Sequence, residues 1–147
     1  MKRTLERVVR VRALLESLTL GEFERKNAEL RVLETSAGEQ RRLGDRTRAG
    51  VVQQLAGESR PSWRVDLADS EILRRKQERL EILGERAKPA VGQAREELLR
   101  RRVDRRQAEV LVSNAAHAEQ REQVRREQNR LDDWFQSRRA RRNRRPG

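Results

Sequence analysis

The chain has 147 residues, of which 34% are hydrophobic, 3% are aromatic and 41% are charged, and its formal net charge at pH 7 is +12. This length suits one domain, but the apolar content is too low for a thick globular core. We therefore weigh two or three helices that share a narrow apolar contact against a disordered chain. The chain contains no cysteine, which excludes disulfides, thiolate metal sites and cysteine nucleophiles.

The excess positive charge is concentrated at the C-terminus. Residues 138–147 include six arginines and no acidic residue, whereas acidic and basic residues are interleaved elsewhere. The sequence therefore predicts a mixed-charge body over residues 1–137 and a basic tail over residues 138–147. Such a tail is either a solvated chain end or an electrostatic contact for an acidic protein surface or for phosphates.

The N-terminus begins like a secretory signal peptide, but Arg10 and Arg12 interrupt its apolar stretch. No run in the chain approaches the roughly 20 apolar residues that cross a bilayer. We expect a soluble, unprocessed protein, and the absence of cysteine fits a reducing cytoplasm.

Helical periodicity predicts a first helix over residues 3–56. The apolar residues follow one another at intervals of three or four, and the pattern shifts register once: Leu5, Val8, Val11, Leu15 and Leu18, then Phe23, Leu30, Leu33 and Ala37. The shift falls near Thr19 and Glu22, which have the spacing of a capping box. It indicates either a new helix or a stutter within a coiled coil.

A loop is predicted over residues 57–66, because Gly57 and Pro61 disfavour helix and Asp66 or Asp69 can cap the next one. Trp63 falls in this loop. Its side chain either folds back onto the first turn of the second helix or anchors in a pocket of a partner.

A second helix is predicted over residues 67–137. Its apolar positions form one line: Leu73, Leu80, Leu83, Ala87, Val91, Ala94, Leu98, Ala108, Leu111, Ala115, Ala118, Val124 and Leu131. Gly84, Pro89 and Gly92 interrupt the line, and an interior proline costs about 3 kcal/mol or more, so we expect a kink there rather than a break. Arg101, Asp104 and Arg105 also fall near the line, which predicts loose packing or a surface that faces a partner.

Two helices of this length joined by a short loop must run antiparallel. The predicted fold is therefore all-α, an antiparallel two-helix coiled-coil hairpin with a kink near Pro89. Trp134 and Phe135, at the end of the apolar line, are expected to cover the first turns of helix 1 beside Leu5 and Val8.

The residues offer little chemistry. The sequence has no GxxxxGK[ST] motif, so we expect no nucleotide hydrolysis. His117 is the only histidine and lies beside the apolar line, where we expect an ordinary surface position. Carboxylates such as Glu96 and Glu97 are expected to be solvated or paired with arginine on helix surfaces. We predict no enzymatic activity, no cofactor and no metal.

Two segments carry a resemblance to a family: the entry to helix 2, "GESRPSWRVDLADSEIL", and the closing "REQNRLDDWFQSRRARR". Together with the two sparse helices, they make the chain similar to the FliJ family of flagellar type III export proteins and to the injectisome stalk counterparts. The resemblance in organisation covers nearly the whole chain. Its most specific element is Leu131, Asp132 and Asp133 followed by Trp134 or Phe135 and a basic end.

This resemblance implies a central stalk that binds a hexameric export ATPase and points toward the cytoplasmic domain of the export gate, with export chaperones as further partners. It implies flagellum biogenesis and motility, and a place at the inner face of the cytoplasmic membrane reached through these partners. The implied ATPase-contact residues are Leu5, Val8, Leu131, Asp132, Asp133, Trp134, Phe135, Arg138, Arg139, Arg141 and Arg142. The implied gate-contact residues are Leu55, Trp63, Leu73 and Leu80.

Two other readings stay open at this point. A nucleic-acid-binding coiled coil would use the basic tail with Arg100–Arg102 and Arg105–Arg106, although acidic residues lie among these clusters. A structural scaffold would self-associate through the alanine-rich part of helix 2.

Overall fold

The computed structural model of the protein describes residues 1–57 and 63–144, with the backbone only at Trp63. Within these residues there are two α-helices and no strand: α1 spans Lys2–Ala56 and α2 spans Trp63–Asn143. The predicted all-α hairpin fold is thereby confirmed. The part of the predicted loop over residues 58–62 lies outside the described residues, as does Arg145 of the basic tail.

The ends of α2 differ from the prediction. The helix begins at Trp63 rather than near residue 67, with Asp66 in its first turn, and continues to Asn143 rather than ending near residue 137. An acidic side chain in the first turn complements the helix dipole, and so do Arg141 and Arg142 in the last turn. The predicted loop over 57–66 is therefore too long, and residues 138–143 of the predicted tail are helical.

Both helices are continuous where the sequence suggested interruptions. In α1, the buried Thr19 stays in the helix, and its Oγ1 donates a hydrogen bond to the carbonyl oxygen of Leu15 at 2.5 Å. This bond satisfies the hydroxyl within its own helix, and the alternative of a new helix start there is wrong. In α2, the helix passes through Pro89 without ending, so a break is excluded, while the degree of bending stays a prediction.

The chain divides into two compact units, and one of them comprises residues 15–101. Here α1 and α2 run antiparallel. Gly44 lies opposite Leu73, since a Cβ added at the glycine would lie 3.8 Å from the Cβ of Leu73. Glu34, which precedes Gly44 on α1, interacts electrostatically with Lys88, which follows Leu73 on α2. The core is small. It consists of Leu30, Ala37 and Val51 on α1 and Ala94 and Leu98 on α2.

Most buried positions of this unit follow a seven-residue repeat. On α1 Leu30, Ala37, Gly44 and Val51 lie seven residues apart, and on α2 Ser70, Gly84 and Leu98 lie fourteen apart, while the buried Thr19 and Ala94 fall outside these two series. A seven-residue repeat of contacts is the pattern of a coiled coil. A second repeat on α1 comprises the positions four residues before those of the first. At Lys26, Gln40 and Thr47 it is half-buried and polar, which explains why the apolar core is narrow.

The other unit comprises residues 1–14 and 102–147. Ala108 is its buried core residue, and Val9 and Val112 line one side of the helix pair. Nη1 of Arg12 reaches across to the carbonyl oxygen of Asp104. The helix pairing in this unit ends early, because every described residue from His117 onward is exposed.

The apolar residues at the start of α1 are helical as predicted, but most of them do not face α2. Val8, Val11, Leu15 and Leu18 are exposed, whereas Leu5, Val9 and Arg12 are half-buried and Thr19 is buried. Val9 belongs to the repeat of Leu30, Ala37, Gly44 and Val51, whereas Leu5, Arg12 and Thr19 belong to the second repeat, that of Lys26, Gln40 and Thr47. Together these positions form the two-position repeat of a coiled coil, extended back to the N-terminus. A side chain's place in that repeat, rather than its hydrophobicity, decides whether it is buried.

Candidate partner-binding surfaces

The most exposed part of the described chain is the last third of α2, residues 117–143, which we call the C-terminal extension. All its residues are exposed, and it has no tertiary partner among the described residues. At 1.5 Å per residue it is about 40 Å long. Glutamate, glutamine, arginine and alanine favour helix there without tertiary packing, and pairs such as Glu122 with Arg126, 3.1 Å apart, add local support.

An aromatic pair lies near the end of the extension. The rings of Trp134 and Phe135 meet edge to face, with centroids 5.0 Å apart and an interplanar angle of 76°. The guanidinium carbon of Arg138 lies 4.8 Å from the centre of the Trp134 ring, within the range of a cation–π interaction. The side chains remain 51% and 60% exposed, so this cluster presents a large apolar surface to a partner.

Charge changes sign across the aromatic pair. Asp132 and Asp133 precede it, and Arg138, Arg139, Arg141 and Arg142 follow within three turns. Phe135 and these arginines, with Arg144, line one open surface depression. The aromatic pair is therefore an apolar anchor bordered by positive charge. A partner with an apolar pocket surrounded by acidic side chains would be complementary to it.

The structure separates two groups that the resemblance implied as one contact. The first turns of α1 face residues near Glu109 and Val112, so Leu5 and Val8 do not meet the aromatic pair. Leu131 lies almost twenty residues further along α2, which corresponds to roughly 28 Å of helix. The expectation that Trp134 and Phe135 cover the start of α1 is therefore wrong, because the first turns of α1 lie beside Glu109 and Val112, well before the aromatic pair along α2.

The implied gate-contact residues are also divided. Leu55 is exposed, but Leu73 and Leu80 are half-buried against α1 in the unit of residues 15–101. Leu80 lines a groove of about 240 Å³ with Ala37, Gly38 and Gly84. The side chain of Trp63 lies outside the described residues, so both interpretations of it stay predictions.

Ion pairs organise the start of α2 near these residues. Arg74 bridges two carboxylates, with Nη2 at 2.7 Å from Glu71 and Nη1 at 2.9 Å from Glu78. The hydrogen bond from Arg74 lowers the pKa of Glu71 below its ordinary value, and the same contact raises the pKa of Arg74. Both side chains are exposed, so these pairs stabilise the helix locally and contribute little to the fold.

The polar residues in the middle of α2 are accounted for by helix contacts. Arg101 Nε lies 3.0 Å from a carboxylate oxygen of Glu97, and Arg105 Nε lies 3.5 Å from one of Glu109. The main-chain carbonyl of Asp104 accepts the bond from Arg12. These residues interrupt the apolar contact as the sequence predicted, and Arg101 and Arg105 each lie beside a carboxylate one helical turn away.

No chemical centre emerges from the described residues. His117 is exposed, and no group of three or more histidine or acidic side chains in this part of the chain could hold a metal ion. No helix among them is long and apolar enough to cross a membrane.

Comparisons with known proteins return no relative: no family model, no curated protein and no solved structure matches this chain. The function must therefore be argued from the surfaces themselves. The sequence pointed to Trp134 and Phe135 of the C-terminal extension, but it predicted that their side chains pack against α1 instead of being exposed. The exposed face of α1 at Val8, Val11, Leu15 and Leu18 was missed, because the sequence alone does not show which of two apolar lines α2 covers.

Proposed function

We propose that this protein is a non-enzymatic component of bacterial type III protein export, of the flagellar kind or its injectisome counterpart. In this proposal it is a coiled-coil stalk that binds the hexameric export ATPase and links it to the cytoplasmic domain of the export gate. Export chaperones are further partners. The protein would act in the cytoplasm and reach the inner face of the membrane only through these partners.

The observation that carries the proposal is the C-terminal extension. A helix that leaves its antiparallel partner and ends in an exposed Trp134–Phe135 pair next to four arginines is suited to insertion into another protein. The resemblance of residues 126–142 to the closing segment of FliJ-like proteins points to the same end of the chain. Leu131, Asp132 and Asp133 would lie beside the anchor, and the arginines would face an acidic lining.

The mechanism follows from symmetry. A single helix inside a ring of identical subunits makes different contacts with each of them, so it biases their conformations unequally. Such a contact promotes ring assembly and ATP turnover without chemistry of its own. Attraction between the arginines and acidic side chains would weaken as ionic strength rises, because exposed charges are screened over about 8–10 Å at physiological salt.

The test compares ATP hydrolysis by the export ATPase alone, with the full chain, and with a chain truncated after Leu131. The full chain should raise the hydrolysis rate and co-elute with the ATPase, and the truncated chain should do neither. All the described residues that the truncation removes are exposed, so an unchanged unfolding temperature rules out misfolding as the cause. Absence of both stimulation and co-elution with the full chain contradicts the proposal.

A nucleic-acid-binding coiled coil is the second candidate, and the run from Arg138 to Arg144 beside exposed aromatic rings favours it. This function predicts that the chain shifts DNA or RNA with little sequence preference. Binding would fall steeply with salt and would disappear on removal of residues 138–147. Such binding without any effect on the ATPase would favour this function over the export stalk.

A further inference from the structure

The N-terminal part of α1 has an apolar face that α2 leaves largely exposed. It consists of Val8, Val11, Leu14, Leu15 and Leu18, and we call it the N-terminal apolar face. Val11, Leu14 and Leu18 are 54%, 66% and 68% exposed, and Val8 and Leu15, at the edge next to α2, are 38% and 37% exposed. In the same stretch the side chains turned toward α2 are Leu5, Val9, Arg12 and Thr19, which lie on another side of the helix.

The spacing of this face is symmetric about Ala13. The residues Val8, Val11, Leu15 and Leu18 lie at intervals of three, four and three. If a second copy of α1 runs antiparallel across it, Val8 faces the partner's Leu18 and Val11 faces the partner's Leu15. Every layer is then apolar, as in the contact of a coiled coil, and the arrangement has the two-fold symmetry of a common dimer interface.

The charges along this part of α1 favour the same antiparallel partner. Residues 2–12 contain five basic and one acidic side chain, whereas residues 13–24 contain three acidic and no basic side chain. Antiparallel pairing brings the basic half of one copy against the acidic half of the other, and parallel pairing places like charges together. Arg7 and Glu22 bracket the apolar face, and within the described residues neither forms an ion pair.

We propose that the N-terminal apolar face binds a second copy of this chain, with the two α1 helices antiparallel and centred near Ala13. Arg7 of each copy then lies within one helical turn of Glu22 of the other. The face is only about three turns long, so the dimer should dissociate on dilution, with a Kd in roughly the micromolar range. The proposal uses no residue of the C-terminal extension and does not rest on the export function.

The sharpest test uses a pair of charge variants, Arg7→Glu and Glu22→Arg. Each variant alone places like charges at both ends of the interface, so each should dimerise about tenfold or more weakly than the natural chain. Mixed together, the two variants regain opposite charges at both ends and should form a heterodimer. Sedimentation equilibrium of the separate and mixed proteins measures both effects, and circular dichroism checks that each variant stays helical.

Disulfide trapping fixes the direction, since the natural chain has no cysteine. A Val11→Cys chain mixed with a Leu15→Cys chain should give mainly the mixed disulfide if the helices are antiparallel. A parallel pair would link like with like, and that result overturns the proposal. The Leu18→Asp variant should abolish dimerisation, whereas Val52→Asp, at an equally exposed apolar residue far along α1, should leave it unchanged.

Three results would each overturn the inference. The natural chain could remain monomeric up to about 1 mM, well above the expected Kd. It could dimerise while the two charge variants behave like the natural chain alone and in mixture. Finally, Leu18→Asp and Val52→Asp could weaken the dimer to the same extent, or neither substitution could affect it.

Discussion

Nη1 of Arg12 donates a hydrogen bond to the main-chain carbonyl oxygen of Asp104, with 2.5 Å between the two atoms. The two residues are far apart in sequence, so this bond joins α1 to α2 within the unit of residues 1–14 and 102–147. Arg12 occupies a position of the seven-residue repeat where a coiled coil normally has an apolar side chain. The bond therefore fixes the pairing of the two helices where apolar packing is thin.

Replacing Arg12 with methionine keeps an apolar stem and removes the donor. The free energy of unfolding should fall by about 1 kcal/mol, the usual net contribution of a hydrogen bond, and by somewhat more if the charge of the donor counts fully. Urea denaturation followed by circular dichroism measures the change. The matched control is Arg31→Met on the exposed side of α1, which should change stability by less than about 0.5 kcal/mol. Equal effects of the two substitutions would contradict the structural role of the bond.

Gly84 is buried in α2, yet a Cβ added there would meet nothing within 4 Å. Gly84→Ala should stabilise the protein by about 1 kcal/mol from helix propensity, with up to about 0.8 kcal/mol more from the buried methyl group. Gly92→Ala, at an exposed glycine of the same helix, should give the propensity gain alone. Thermal unfolding of both variants compares them, and a loss of stability in Gly84→Ala would mean that the helices approach more closely there.

Pro89 lies inside the continuous helix α2 and is exposed. Because proline has no N–H to donate, Pro89→Ala should restore one main-chain hydrogen bond. It should stabilise the protein by about 1–3 kcal/mol, up to the cost of an interior proline. The unfolding temperature should rise while the helical content at low temperature stays the same. A large increase in helical content would instead mean that α2 is interrupted in solution.

The pKa of Glu71 lies below its ordinary value of 4.5, mainly because Arg74 donates a hydrogen bond to its carboxylate. A carboxylate with a lowered pKa in the folded state stabilises the protein above 4.5, and this contribution disappears as pH falls through the lower folded value. Glu71→Gln should therefore be slightly less stable than the natural chain at pH 7 and equal to it at an acidic pH below the lowered pKa of Glu71. Urea denaturation at both pH values checks this, and 1 M salt should reduce the difference at pH 7.

Truncation after residue 119 tests whether the C-terminal extension is independent of the paired helices. Since residues 120–144 are exposed and have no tertiary partner in the described chain, their removal should shift the unfolding temperature by no more than about 2–3 °C. The helical signal should fall by the share of residues removed. A large loss of stability would show that the extension packs against something within the protein.

The sequence predicts much of this fold, because its periodicity and the Pro61 region leave only a two-helix antiparallel arrangement. It does not predict which apolar line of α1 meets α2. As a group Val8, Val11, Leu15 and Leu18 are more hydrophobic than Val9, Arg12 and Thr19, yet the second group occupies the repeat positions that face α2 and is half-buried or buried. That choice depends on the sum of contacts along both helices and not on the local pattern.

The candidate surfaces show the same limit. The composition of residues 131–142 correctly singled out an aromatic and basic end, since charged and aromatic residues outside a repeat are visible in a sequence. Whether Trp134 packs inside the protein depends on where α1 starts relative to α2, which only the pairing of the two helices determines.

The central claim is that the C-terminal extension of α2 is the element that binds the export ATPase. Hydrogen exchange of the protein, alone and with a saturating amount of the ATPase, tests it most directly. The extension should exchange quickly in the free protein, and residues 121–143 should gain strong protection in the complex, with Trp134 and Phe135 at the centre. Unchanged exchange in residues 121–143, under conditions where the ATPase is functional and in excess, would contradict the claim.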